Sequence, residues 1–152
     1  MRPSRTQYFC EMVKVVASRG SCRRRKVGCI LIDKHHFVLS TGYNGRPSGF
    51  DNCLDHPCEG ADAKSGQDLD KCEAIHAEAN ALLQCPDTNR VYKAYCTTAP
   101  CIHCVKLLLN TSCEEIVFID TYPHANVSKE LWERAGRKWT KYDEDYSKHS
   151  DS

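Results

Sequence analysis

No apolar run in this 152-residue chain approaches the roughly 18 residues that a helix needs to cross a bilayer, which argues against a helical membrane span. A surplus of one charge is also missing. Against 21 Lys and Arg stand 20 Asp and Glu, a formal net charge of +1. No chain-wide field pulls in nucleic acid, so only a local basic patch could serve that role. The opening Met1-Arg2-Pro3-Ser4-Arg5 has no apolar core of an export signal, and the expected location is the cytoplasm. Internal repeats and low-complexity stretches are lacking too, which sets aside solenoid and fibrous architectures.

Cysteine is what the chain has in abundance, with 11. An exported chain would use them for disulfides. Without an export signal, metal ligation is the better reading. The length and a hydrophobic content of 41% suit one domain, spanning residues 1–152, with a single core.

The pattern predicts a helix from Thr6 to Ser18, with Phe9, Met12, Val13, Val16 and Ala17 on one face. Val27 to Ile32 and Phe37 to Thr41 read as a hairpin that turns through Asp33-Lys34-His35-His36. Gly42 to Lys71 is rich in Gly, Pro, Asp and Asn and reads as a loop. A loop of that length needs a staple or a function. A helix from Ile75 to Gln84, a strand from Val91 to Thr97 and a helix from Pro100 to Leu109 follow. Then come a strand from Glu115 to Ile119, a helix from Val127 to Ala135, a last strand from Lys138 to Tyr142 and a frayed tail, residues 143–152. Strands alternating with helices imply a three-layer α/β/α sandwich around a five-stranded, mostly parallel sheet. The opening hairpin makes that sheet mixed.

The chemistry concentrates in His76-Ala77-Glu78 and Pro100-Cys101-Ile102-His103-Cys104. One imidazole and two thiols, His76, Cys101 and Cys104, supply three of zinc's four tetrahedral ligands and leave one position for water. Glu78 is free to move protons beside the metal. Cys101 and Cys104 sit three apart at a helix start and share a face, where the helix N-terminus favours thiolate. His76 and Glu78 are two apart, and inside a helix they would point nearly opposite ways. Both serve one site only if the metal sits over the helix end. Alone, a Cys-x-x-Cys pair could be a redox pair or half of a structural zinc site, and a His-x-Glu is common by chance. Together and in this order they resemble the signature of zinc-dependent nucleobase deaminases.

A narrower resemblance rests on three segments. They are Cys22-Arg23-Arg24-Arg25-Lys26-Val27-Gly28, Thr41-Gly42-Tyr43-Asn44-Gly45-Arg46-Pro47-Ser48-Gly49, and Ile75-His76-Ala77-Glu78-Ala79-Asn80-Ala81. Over roughly residues 6–142 the chain resembles the deoxycytidylate (dCMP) deaminase family, in the version found in bacteria and their viruses. The resemblance implies hydrolysis of dCMP to dUMP and ammonia, which supplies dUMP for dTMP synthesis. It implies that Asn44 hydrogen-bonds the sugar, with Ala77, Thr98 and Tyr122 also at the substrate. A 5′-phosphate needs cationic partners, and Arg24 and Lys26 are the choice. The alternatives are a solvated basic turn for Arg23 to Lys26, a plain turn residue for Asn44 and a packing aromatic for Tyr122. The resemblance further implies control by dCTP with Mg2+ and by dTTP. That control would act at a subunit interface of a homo-oligomer, a hexamer, near Tyr43, Gly45, Arg46 and Gly49.

Cys53 and Cys58 lie in the loop-rich insert of residues 42–72, with Cys72 just before the His76 helix and Cys22 before the first strand. The four could close a structural zinc site that staples the insert, with His56 as a rival ligand and free thiols as the alternative. Cys10, Cys29, Cys85, Cys96 and Cys113 read as small core residues. Two other functions compete. One is an enzyme that edits bases in tRNA or single-stranded DNA, which needs a basic, aromatic groove that the near-neutral charge does not favour. The other is a zinc-stapled binding module, against which Glu78 argues.

Overall fold

The computed structural model describes residues 1–21, 25–45, 47–50 and 74–143. Helix α1 (Arg5–Ala17) starts where the Ser4 hydroxyl accepts from the Gln7 backbone N–H at 3.1 Å. Strands β1 (Gly28–Ile32) and β2 (Val38–Tyr43) form the expected hairpin. At its turn one Asp33 carboxylate oxygen accepts from the His35 and Phe37 N–H groups at 2.8 and 3.0 Å. The carboxyl is held below its usual range by those amides, Phe37 first, and by Arg90 beside it.

Helix α2 (Ala77–Gln84), strand β3 (Lys93–Thr98), helix α3 (Ile102–Leu109), strand β4 (Glu115–Asp120), helix α4 (Ala125–Arg134) and strand β5 (Lys138–Lys141) follow. The strand order is β2-β1-β3-β4-β5. β1 runs antiparallel to both neighbours, while β3, β4 and β5 are parallel. The sheet is therefore evenly mixed rather than mostly parallel. The long chain between β2 and β3 brings β3 back against β1 in the opposite sense, which strand periodicity does not reveal.

Strand alternation sorts the core into two faces. Cys29, Leu31, Ala94, Cys96, Ile116 and Phe118 pack on one side with residues of α2, α3 and α4, including Trp132. Ile30, Ile32, Tyr95 and Val117 pack on the other with Phe9, Cys10 and Val13 of α1. The result is the three-layer sandwich that the helix and strand order implied. Cys10, Cys29, Cys96 and Cys113 are buried as expected, and Cys85 is half-buried at the end of α2. No described helix is long and apolar enough to cross a membrane.

β2 runs two residues further than its pattern suggested, through Gly42 and Tyr43. Gly42 looked like a turn signal, but it is where α2 lies on the sheet. A Cβ there would sit 2.3 Å from the Ala81 nitrogen and 2.4 Å from the Ala77 oxygen. Ser40 Oγ donates to the Ala81 carbonyl at 2.7 Å just alongside. Gly42→Ala is expected to push α2 off β2 at a cost of about 3 kcal/mol. Thermal melting should fall and zinc retention should weaken with it. An unchanged melt would mean that the two elements do not touch this closely.

Candidate active site

Two helix starts meet at one point. His76 is the N-cap of α2 and Cys101 is the N-cap of α3, both in extended backbone. Cys104 is the third residue of α3 and Glu78 the second of α2. His76 therefore lies outside the helix rather than in its first turn, and Pro100 precedes the α3 cap rather than opening the helix. This settles the geometric conflict between His76 and Glu78. A cap residue is not bound by helical periodicity, and here His76 and Glu78 are near enough for each to bias the other's protonation. The positive ends of both helix dipoles point at the group, which suits thiolates.

His76 Nδ1 lies 3.4 Å from the sulfurs of both Cys101 and Cys104. All three ligand atoms fall within 4.8 Å of one another. Tetrahedral zinc, with bonds of about 2.0 Å to nitrogen and about 2.3 Å to sulfur, separates such atoms by about 3.5 Å. The donor set and its spacing fit zinc. His76 and Cys101 are partly open and Cys104 is buried. Among the described residues this is the His/Cys/Asp/Glu group assembled to hold a metal.

The electrostatics of the group are those of shared protons. The Cys101 thiol is pulled down to about 4, first by a hydrogen bond from Cys104 and then by His76, against burial. Cys104 moves up because it keeps the proton that it donates to Cys101. His76 is raised by the neighbouring Cys101 sulfur. Glu78 is 3% exposed, and burial pushes its carboxyl upward, against the pull of the Cys104 thiol and His76.

Of the other expected residues, Ala77 and Thr98 are buried, at the start of α2 and the end of β3. Asn44 is also buried. Its Oδ1 accepts from Val27 N–H at 2.9 Å and its Nδ2 donates to the Arg25 carbonyl at 2.6 Å. Lys26 is exposed. Tyr122 donates to the Pro100 carbonyl at 3.2 Å, and burial raises its phenol, with Cys101, Glu78 and Cys104 adding to that. Tyr43 is half-exposed, with the Arg19 guanidinium 5.9 Å from its ring centre. Gly45 bridges to Ile75, the residue before His76, through hydrogen bonds of 3.1 and 2.7 Å. Gly49 has φ +93° and open space where a Cβ would be. Arg24, Arg46, Cys22, Cys53, His56, Cys58 and Cys72 lie outside the described residues, as do most of the insert and of the tail.

The sequence reading missed Ser128, wholly buried in α4 with its hydroxyl 3.1 Å from Tyr122 Oη. A serine in an amphipathic helix gives no periodic signal of such a partner. It also missed Arg137, whose guanidinium donates to the carbonyls of Leu108, Leu109, Thr111 and Cys113 at the end of α3.

Fold and ligand set together define a His/Cys site able to hold a metal ion on an α/β/α sandwich. Residues 3–120 match the model of the cytidine and deoxycytidylate deaminase zinc-binding region, and the chain belongs to that family. It is 36% identical to the deoxycytidylate deaminase of Schizosaccharomyces pombe, over 93% of this chain and 45% of that protein. To the deoxycytidylate deaminase of Mycobacterium phage D29 it is 35% identical, over 77% of this chain and 95% of that one. The chain spans less than half the length of the yeast relatives, 45% and 44%. The crystal structure of the cyanophage S-TIM5 dCMP deaminase in complex with dCMP and dUMP has the same fold. Its TM-score is 0.76 at 24% identity, over 93% of this chain and 99% of that one.

Proposed function

We propose that this chain hydrolyses dCMP to dUMP and ammonia. The observation that carries the reading is the buried Glu78 carboxyl beside the His76, Cys101 and Cys104 triangle, in a member of this family. His76 Nδ1 and the two sulfurs would hold zinc, which when bound supplies the Lewis acidity that makes water a nucleophile near neutral pH. Glu78 takes a proton from that water on a carboxylate oxygen. It hands that proton to the pyrimidine ring nitrogen as the water oxygen bonds to the carbon bearing the amine, then takes the second proton from the new hydroxyl and passes it to the amine, so that the C–N bond breaks, the carbonyl forms and ammonia leaves. Burial moves its carboxyl toward the range where one group both accepts and returns a proton. Ala77, Thr98 and Tyr122 wall the base, and Asn44 uses its remaining donor and acceptor capacity on the sugar. Arg24 and Lys26 take the 5′-phosphate.

The finer reading includes activation by dCTP with Mg2+ and inhibition by dTTP at Tyr43, Gly45, Arg46 and Gly49 in a hexamer. Its support is the hydrogen-bonded bridge from Gly45 to Ile75, which links that loop to the His76 cap. It includes a second zinc at Cys22, Cys53, Cys58 and Cys72, with His56 as the rival ligand, and metal analysis should then find two zinc ions per chain. One assay tests the activity: ammonia release by zinc-loaded protein from dCMP, deoxycytidine, CMP and a tRNA anticodon stem. The expected outcome is the highest kcat/KM on dCMP. Turnover confined to the tRNA stem would move the function to base editing, and silence on every substrate would leave a binding module.

A further inference from the structure

Pro100 joins the end of β3 to Cys101, so its peptide sets where the first zinc-binding sulfur stands. On one side the Ala99 N–H donates to the Asp120 carbonyl at 2.8 Å. On the other the Pro100 carbonyl lies 3.2 Å from Tyr122 Oη. A carbonyl oxygen can only accept, and a phenol has one proton. That proton is therefore committed to Pro100. Ser128 Oγ lies 3.1 Å from the same Oη and must be the donor of that second contact. Ser128 is 0% exposed, so bulk water does not compete for its hydroxyl. The chain of hydrogen bonds runs one way, from Ser128 through Tyr122 to the Pro100 carbonyl. It ties the first half of α4 to the peptide just before the cap of α3. The Ala125 N–H, donating to the Tyr122 carbonyl at 3.0 Å, fixes the turn between them.

We propose that Ser128 and Tyr122 are positioning residues that brace Cys101 for metal binding. The phenol proton serves the backbone, so what Tyr122 presents to a bound base is its ring, not a donor. This inference rests on the zinc reading of the His76, Cys101 and Cys104 group. Partners of this kind, which orient a ligand without touching the metal, commonly change metal affinity by about 10-fold or more when removed.

The test compares wild type, Ser128→Ala, Tyr122→Phe and the double variant for zinc loss to a chelator. Cobalt-substituted protein supplies the sulfur-to-cobalt absorption band as a second readout. Each single variant is expected to release zinc about 10-fold faster and to weaken that band. The double variant should be no worse than the worse single, because both break one chain. Neither measurement needs a substrate, so failure of dCMP turnover would leave this test standing. Should Ser128→Ala fail to fold, Tyr122→Phe, which removes one oxygen and keeps the ring, decides alone. Unchanged zinc release and cobalt band, or losses that add in the double variant, would overturn the brace. A wild type that binds no zinc would overturn both readings.

Discussion

Glu78→Gln is expected to cut turnover of the zinc-loaded protein by about 1,000-fold or more, near the upper range for one positioned acid–base group, and to leave its zinc content unchanged. Gln keeps the volume and the hydrogen-bonding edge of a side chain that is only 3% exposed. It removes the one property the reaction needs, a carboxylate that accepts a proton and gives it back. A truncation to Ala would add a cavity beside Ala81 and the thiols and confuse two effects. Ammonia release and metal analysis on the same preparation separate chemistry from metal loss. Turnover within 10-fold of wild type would take Glu78 out of proton transfer.

Cys104→Ala should strip the zinc and bring turnover to background, below about a thousandth of wild type, while the protein still unfolds cooperatively. Zinc then keeps only His76 and Cys101, too few protein ligands for a tetrahedral site with a reactive position. The fold should survive because α3 does not depend on the metal alone. Val105 and Leu108 are fully buried in the core, and Arg137 holds the carbonyls at its far end. Metal analysis and a denaturation curve read the two parts. Stoichiometric zinc in this variant would mean that Cys104 is a core thiol and not a ligand.

The zinc ligands were legible in the sequence because a metal demands fixed donor types and the chain supplies them at close spacing. Glu78 is not a ligand and stood out only by its place two residues after His76; the structure buries it there. Every strand was found to within two residues, since the continuous apolar runs in Gly28 to Ile32 and Glu115 to Asp120 reflect burial on both faces. What failed depends on partners that no local period marks. Gly42 carries the same letter whether it turns a loop or admits a helix. The direction of β1 against β3 is decided by a crossover, and no local period records it. Ser128 is one polar residue in a polar helix until Tyr122 lies against it. Asn44 illustrates the opposite case. Its Asn-Gly context reads as a turn, yet its amide is what stitches residues 25–27 to the end of β2.

The guanidinium under α3 has a bearing on where this domain can be cut. The matched family segment stops at residue 120, but the four oxygens that Arg137 serves belong to that segment. A fragment trimmed to the match would keep every zinc-binding atom and lose the clasp on the helix that presents two of them. A fragment ending at residue 120 is therefore expected to melt below the full chain, and boundaries for expression are better drawn beyond β5 than by motif coverage alone.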